Sequence, residues 1–194
     1  MDVLEFKKIS LDDLHDEKWS NWSRAYEYPL VIDYIKKYYK GSAISSPLGL
    51  PLIHNSSWGY TGIHITFKEE LERIFINVVH SDIKASELPN TFTYDIRKEP
   101  PLDEIEKYDF VLNISTMEQI KGDHLQVFNN LLKQVKKDGI FIATFDLPGL
   151  QLEKFEDFFN KKIETNGTPI NGANSCVKCD THSKMNCGIM VIKK

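Results

Sequence analysis

Three cysteines occur in 194 residues, all between positions 176 and 187. That is too few and too clustered for the disulfide framework of a small secreted domain. Cys176, Cys179, His182 and Cys187 are all donors that zinc accepts. Structural zinc sites usually join two separated knuckles, however, and these four share one short segment, so free thiols and no bound metal are expected. Apolar runs long enough to cross a bilayer are missing, and the opening stretch, residues 1–8, has no apolar signal core, so a cytoplasmic protein without membrane insertion is expected. A basic excess is missing too: 24 Lys and Arg stand against 28 Asp and Glu, for a net charge of -4. Nucleic acid is therefore not an expected partner. Internal repeats and low-complexity tracts are also lacking.

Hydrophobic residues make up 41% of the chain and charged residues 27%, the balance of an ordinary globular protein, and the length suits a single domain over residues 1–194. Residues 1–40 read as a helical entry segment. Ser10 can cap a short helix over residues 11–14. Pro29 suits the first turn of another, in which Leu30, Val31, Tyr34, Ile35 and Tyr38 share a face. The aromatics around Arg24-Ala25-Tyr26-Glu27-Tyr28-Pro29 are expected to cover one edge of a sheet.

Residues 108–145 carry the clearest pattern. Tyr108-Asp109-Phe110-Val111-Leu112-Asn113-Ile114 is an apolar run of buried-strand type, and Ser115-Thr116-Met117-Glu118-Gln119 follows where a parallel strand delivers residues to a ligand crevice. Asp123 can then cap a helix with Leu125, Phe128, Leu131, Leu132 and Val135 at helical spacing. Lys136-Lys137-Asp138-Gly139 stops it, and residues 140–145 form the next strand.

This unit resembles the second half of class I S-adenosylmethionine-dependent methyltransferases. That family has a strand beginning Phe/Tyr-Asp, a Ser-x-x-Glu-His segment, a helix, a Gly-containing turn and another apolar strand. Here the counterparts are Tyr108-Asp109, the segment from Ser115 to Gln119 with Gln in place of His, and Asp138-Gly139 before the next strand. The Arg24-x-x-Glu27-Tyr28-Pro29 helix is similar to the opening of methyltransferase-like proteins of glycan-modifying systems. The resemblance implies an α/β fold with a Rossmann-like, mostly parallel sheet, a C-terminal antiparallel hairpin and helices on both faces. It further implies S-adenosylmethionine as cofactor and methyl transfer, expected here to the hydroxyl of a sugar or glycan acceptor. The alternative is a catalytically silent binding or partner protein on the same fold.

The resemblance also implies where the cofactor would lie. Residues 41–46 are expected as the first core strand, with Ser45, Ser46 and Gly49 at the cofactor loop, although the Gly-x-Gly-x-Gly of the family is absent. Residues 53–58 read as an insertion, and residues 62–67 alternate like an exposed strand. Residues 75–82 are the expected second core strand, ending in Asp82 for the ribose hydroxyls. Residues 91–97 are the third, with Asp95 for the adenine amino group, and Ser115 follows the fourth. Methyl transfer to a weakly acidic hydroxyl needs a base, and His124, Asp146 and Glu118 are the candidates because they follow the central strands; His54 and Asp123 lie at the same sheet end, Asp123 suiting a cap. A helix over residues 152–159, with Phe155, Phe158 and Phe159 inward, and a last strand over residues 188–192 complete the expected fold. Residues 174–178 are expected as the other arm of the hairpin.

Overall fold

In the computed structural model, the residues described are 1–10, 13, 16, 19, 24–39, 52–55, 62–75, 77–84, 89–147, 149–165 and 186–194. They form a seven-stranded sheet in the order β1-β7-β6-β5-β2-β3-β4. The strands are β1 (Asp2–Lys8), β2 (Leu52–Asn55), β3 (Val78–Asp82), β4 (Thr91–Thr93), β5 (Tyr108–Ile114), β6 (Val135–Leu147) and β7 (Asn186–Lys193). Strands β4, β3, β2, β5 and β6 are parallel, while β7 runs antiparallel between β6 and β1. The mostly parallel sheet and its antiparallel C-terminal arm are thus as the sequence implied. The other arm expected at residues 174–178 lies outside the described residues.

Side chains alternate between two apolar layers, as a pleated strand requires. Phe110, Leu112 and Ile114 of β5 join Leu52, Ile142, Ile189 and Val191 on one face, under helices α1 (Arg24–Tyr38) and α2 (Gly62–Ile74). Val111 joins Ile53, Phe141, Phe145, Met190 and Ile192 on the other, under α3 (His124–Gln134) and α4 (Leu152–Phe159). Helix α3 begins where expected, because the Asp123 side chain accepts from the Leu125 N–H at 3.1 Å. It buries Val127, Phe128 and Leu131 against the sheet. In α4, Phe155 is fully buried but Phe158 is 42% exposed, so only part of the expected inward trio faces the core.

Several elements differ from the sequence expectation, among them the start of β6, where Val135, expected in the helix, opens the strand and Lys136-Lys137-Asp138-Gly139 lie within it. The entry segment opens as a strand, β1, at the sheet edge and not as a helix. Its Asp, Glu and Lys residues hide the strand pattern, which becomes favourable only through the ladder to β7. Helix α1 starts at Arg24, so Pro29 lies inside it. Proline has no N–H to give the Ala25 carbonyl four residues back, and that carbonyl instead accepts from the Asp16 N–H at 2.8 Å. Residues 62–67 are helical: two parallel strands, β2 and β3, must be joined by a crossover, and α2 is that crossover, burying Phe67 and Leu71 four residues apart. Finally β2, read as part of an insertion, is the first parallel strand and sits between β3 and β5. The expected strand over residues 41–46 lies outside the described residues.

Glycine is required at Gly188 of β7, where any Cβ would overlap the Phe145 ring of the neighbouring strand.

Candidate functional site

The strand order reverses between β5 and β2, which makes the crevice beyond their carboxyl ends the natural ligand site of this sheet. Its floor is rigidly cross-linked. The Asn113 Nδ2 donates to the Asn55 carbonyl at 3.1 Å, its Oδ1 accepts from the Met117 N–H at 3.1 Å, and the Ser81 hydroxyl donates to Asn55 Oδ1 at 2.7 Å. These buried amides fix the ends of β2, β3 and β5 relative to one another.

Just past β5, Ser115 adopts a positive φ of 39°, which a non-glycine residue rarely holds. Its N–H donates to the Thr144 carbonyl at 3.0 Å and its hydroxyl donates to Glu27 of α1. Glu27 is fully buried and also paired with Arg24. Helix α1 is thereby tied to the crevice through Arg24 and Glu27, neither of which was among the expected site residues. The Arg-x-x-Glu spacing puts both on one helix face, the signal available in the sequence.

Buried Glu118 and partly exposed Asp146 complete an acidic cluster with Glu27. Glu118 lies in the 3-10 turn Met117–Gln119 with neither carboxyl oxygen hydrogen-bonded among the described residues. Burial first, then the charges of Asp146 and Glu27, push its pKa up to about 8; the backbone N–H groups of Glu118 and Asp146 oppose the shift without reaching full hydrogen-bond geometry. Asp146, near the end of β6, is pushed up to about 6 by burial and by Glu27, with Arg24 and the Cys187 thiol at 3.6 Å pulling the other way. Burial disfavours the Arg24 charge, but Glu27, Tyr28 and Asp146 hold its pKa above the ordinary value. Gly149 makes room for this arrangement, since a Cβ there would stand 3.2 Å from Glu118 Cγ.

A pH dependence follows from Glu118. Its folded pKa of about 8 lies above the ordinary value of 4.5, so its contribution to stability is fully present below about pH 4.5 and is lost as pH rises through about 8. Burial also holds His80 neutral, down to about 3, which acts in the opposite sense below pH 6.5, so the comparison must be between proteins differing only at Glu118. The melting temperature of the parent minus that of Glu118→Gln should fall between pH 5 and 8.5. A difference that stays flat would show that Glu118 is not held neutral.

The other expected site residues are placed as follows. Asp82 ends β3, buried, its Oδ1 accepting from the Lys84 N–H at 3.0 Å. Asp95 stands two residues past β4 and is gripped by its near neighbour Arg97 at 2.8 Å through both oxygens, which holds its pKa below the ordinary value. His124 is buried at the start of α3 with Nε2 2.8 Å from the Ile120 carbonyl and Nδ1 accepting from the Gln151 N–H at 3.2 Å. Both ring nitrogens are thus committed, and neither is open to an acceptor's proton in this arrangement. His54 is packed edge-on against Phe67 and His80 within the sheet. Ser45, Ser46 and Gly49, and likewise Cys176, Cys179 and His182, lie outside the described residues. No group of His, Cys, Asp and Glu arranged to hold a metal ion occurs among the described residues, and no described helix is long and apolar enough to cross a membrane.

No family model matches the sequence, and no curated protein does. Solved structures match the fold. The CurJ carbon methyltransferase superposes with a TM-score of 0.57 at 12% identity, covering 91% of this chain and 56% of that one. The CMeT domain of the citrinin polyketide synthase gives 0.52 at 11% identity, covering 86% and 52%. A Galdieria sulphuraria protein assigned as a sarcosine dimethylglycine methyltransferase gives 0.52 at 12% identity, covering 94% and 92%. The chain thus spans about half the length of the first two structures and nearly all of the third. Its fold is the Rossmann-like fold of class I methyltransferases.

Proposed function

We propose that this chain is an S-adenosylmethionine-dependent O-methyltransferase acting on a sugar or glycan hydroxyl, with Asp146 as base. The observation that carries this is the pair of buried Glu118 and partly exposed Asp146 at the carboxyl ends of β5 and β6, whose members are held at about 8 and about 6. Two carboxyl groups whose environments separate their pKa values in this way are suited to proton transfer near neutral pH.

The described residues fit the cofactor. Carboxylates at or just past the ends of β3 and β4, Asp82 and Asp95, suit its ribose hydroxyls and adenine amino group, and Ser115 stands at the switch point. Ser45, Ser46 and Gly49 are proposed for the cofactor loop on the resemblance alone. The cofactor, when bound, supplies an activated methyl group. The protein then has to hold the acceptor oxygen in line and remove its proton. Asp146, ionised above about pH 6, would hold the acceptor hydroxyl and take its proton. Arg24 and Glu27 hold Ser115, just past the end of β5, in place from α1. His124, with both nitrogens engaged, serves to anchor α3 to the loop before α4.

The missing Gly-x-Gly-x-Gly favours the alternative, a catalytically silent partner protein. Calorimetry with S-adenosylhomocysteine on parent, Asp82→Ala and Asp95→Ala separates the two. Binding should weaken by roughly 1.5 to 3 kcal/mol in at least one variant, the value of a charge-assisted hydrogen bond. Unchanged affinity in both folded variants removes these assignments.

A further inference from the structure

Glu118 is a buried carboxyl group with neither oxygen hydrogen-bonded among the described residues, set beside two other acids, Asp146 and Glu27. The Arg24 guanidinium is already engaged by Glu27, which also accepts from the Ser115 hydroxyl. Asp146 receives only the Cys187 thiol, a weak donor, at 3.6 Å among the described residues. Among the described residues, the Glu118 and Asp146 carboxyl groups therefore present oxygens with no strong donor on them, and three acids, Glu27, Glu118 and Asp146, stand with one cation, Arg24. Asp146 is the partly exposed member through which a ligand would meet it.

We infer that the acceptor carries a protonated amine close to the group that is methylated, and that Glu118 together with Asp146 recognises it. The inference rests on the methyltransferase assignment above. An ammonium group brings three donors and a positive charge, which is what a buried carboxyl group beside a second acid lacks, whereas a neutral hydroxyl brings one donor and no charge. Desolvating a carboxylate is costly unless it is paired, so a cationic ligand gains from both members of the pair, and Glu118 ionises as it binds. An amino sugar combines this ammonium with a neighbouring hydroxyl in one molecule.

The test is titration of the full chain, loaded with S-adenosylhomocysteine, with glucosamine, glucose and N-acetylglucosamine at pH 7. Glucosamine should bind about tenfold or more tightly than the two uncharged sugars. In Glu118→Gln that preference should collapse while S-adenosylhomocysteine affinity stays within about twofold of the parent, and Asp146→Asn, as a second variant, should narrow it. Equal or absent binding of the three sugars overturns the inference, as does a preference that survives in both folded variants. A tenfold loss of S-adenosylhomocysteine affinity in Glu118→Gln also overturns it, because the carboxyl group would then serve the cofactor's own ammonium. If S-adenosylhomocysteine fails to bind the parent, it is the methyltransferase assignment that falls; binding without amine preference defeats this inference alone.

Discussion

Asp146→Asn should lower methyl transfer by roughly a hundredfold or more while leaving S-adenosylmethionine affinity within about twofold, the pattern of a lost proton acceptor. The substitution keeps the side chain's shape but cannot accept the hydroxyl proton. Asp146 sits near the end of β6, opposite Cys187 of β7, where it adds nothing to the sheet ladder through its side chain. In the parent, turnover should rise with pH through about 6 as Asp146 ionises, and the residual rate of the variant should lose that step. His124→Ala serves as the contrast. It removes the hydrogen bonds to Ile120 and Gln151, so it should lower the melting temperature more than it lowers the rate per folded molecule. A panel of glycan acceptors with mass-spectrometric detection of the methylated product checks both. An Asp146→Asn protein that turns over like the parent would place the base elsewhere.

Phe128→Ala should destabilise the fold by about 3 to 5 kcal/mol, the range for emptying a buried aromatic site. Phe128 is fully buried on α3, and its ring lies 5.2 Å from Phe141 of β6, 5.7 Å from Phe155 and 5.7 Å from Phe159 of α4. All three contacts are edge-to-face, the arrangement aromatic rings favour. The cavity would open between α3, α4 and the sheet, where rigid strands cannot close it. Urea unfolding gives the loss directly, with the slope unchanged if the transition stays two-state. A loss below about 1 kcal/mol would mean that the two helices repack freely over the sheet.

The sequence was most legible where burial is one-sided and periodic. Phe128 and Leu131 lie at helical spacing behind an Asp cap, and β5 carries the apolar stretch Phe110-Val111-Leu112, so that unit could be read without the fold. Legibility failed where tertiary context overrides local pattern. The charged residues of β1 make a strand only beside β7. The alternation in residues 62–67 looks like a strand until two parallel strands need a crossover. The site was half legible, because strand ends mark Asp82, Glu118 and Asp146 while nothing local reveals what faces them. Glu27 and Ser115 meet across 88 positions of sequence. The commitment of both His124 nitrogens likewise depends on Gln151 and Ile120, which sequence spacing alone does not bring together.

Isothermal titration of the parent chain with S-adenosylmethionine and with S-adenosylhomocysteine asks whether the crevice beyond β5 and β2 holds the cofactor, before any acceptor is known. Saturable binding of one molecule of each per chain, the second displacing the first, is the expected result. A folded protein that gives no binding heat with either, and no shift in melting temperature on adding them, would contradict the assignment and leave a methyltransferase fold kept for another purpose.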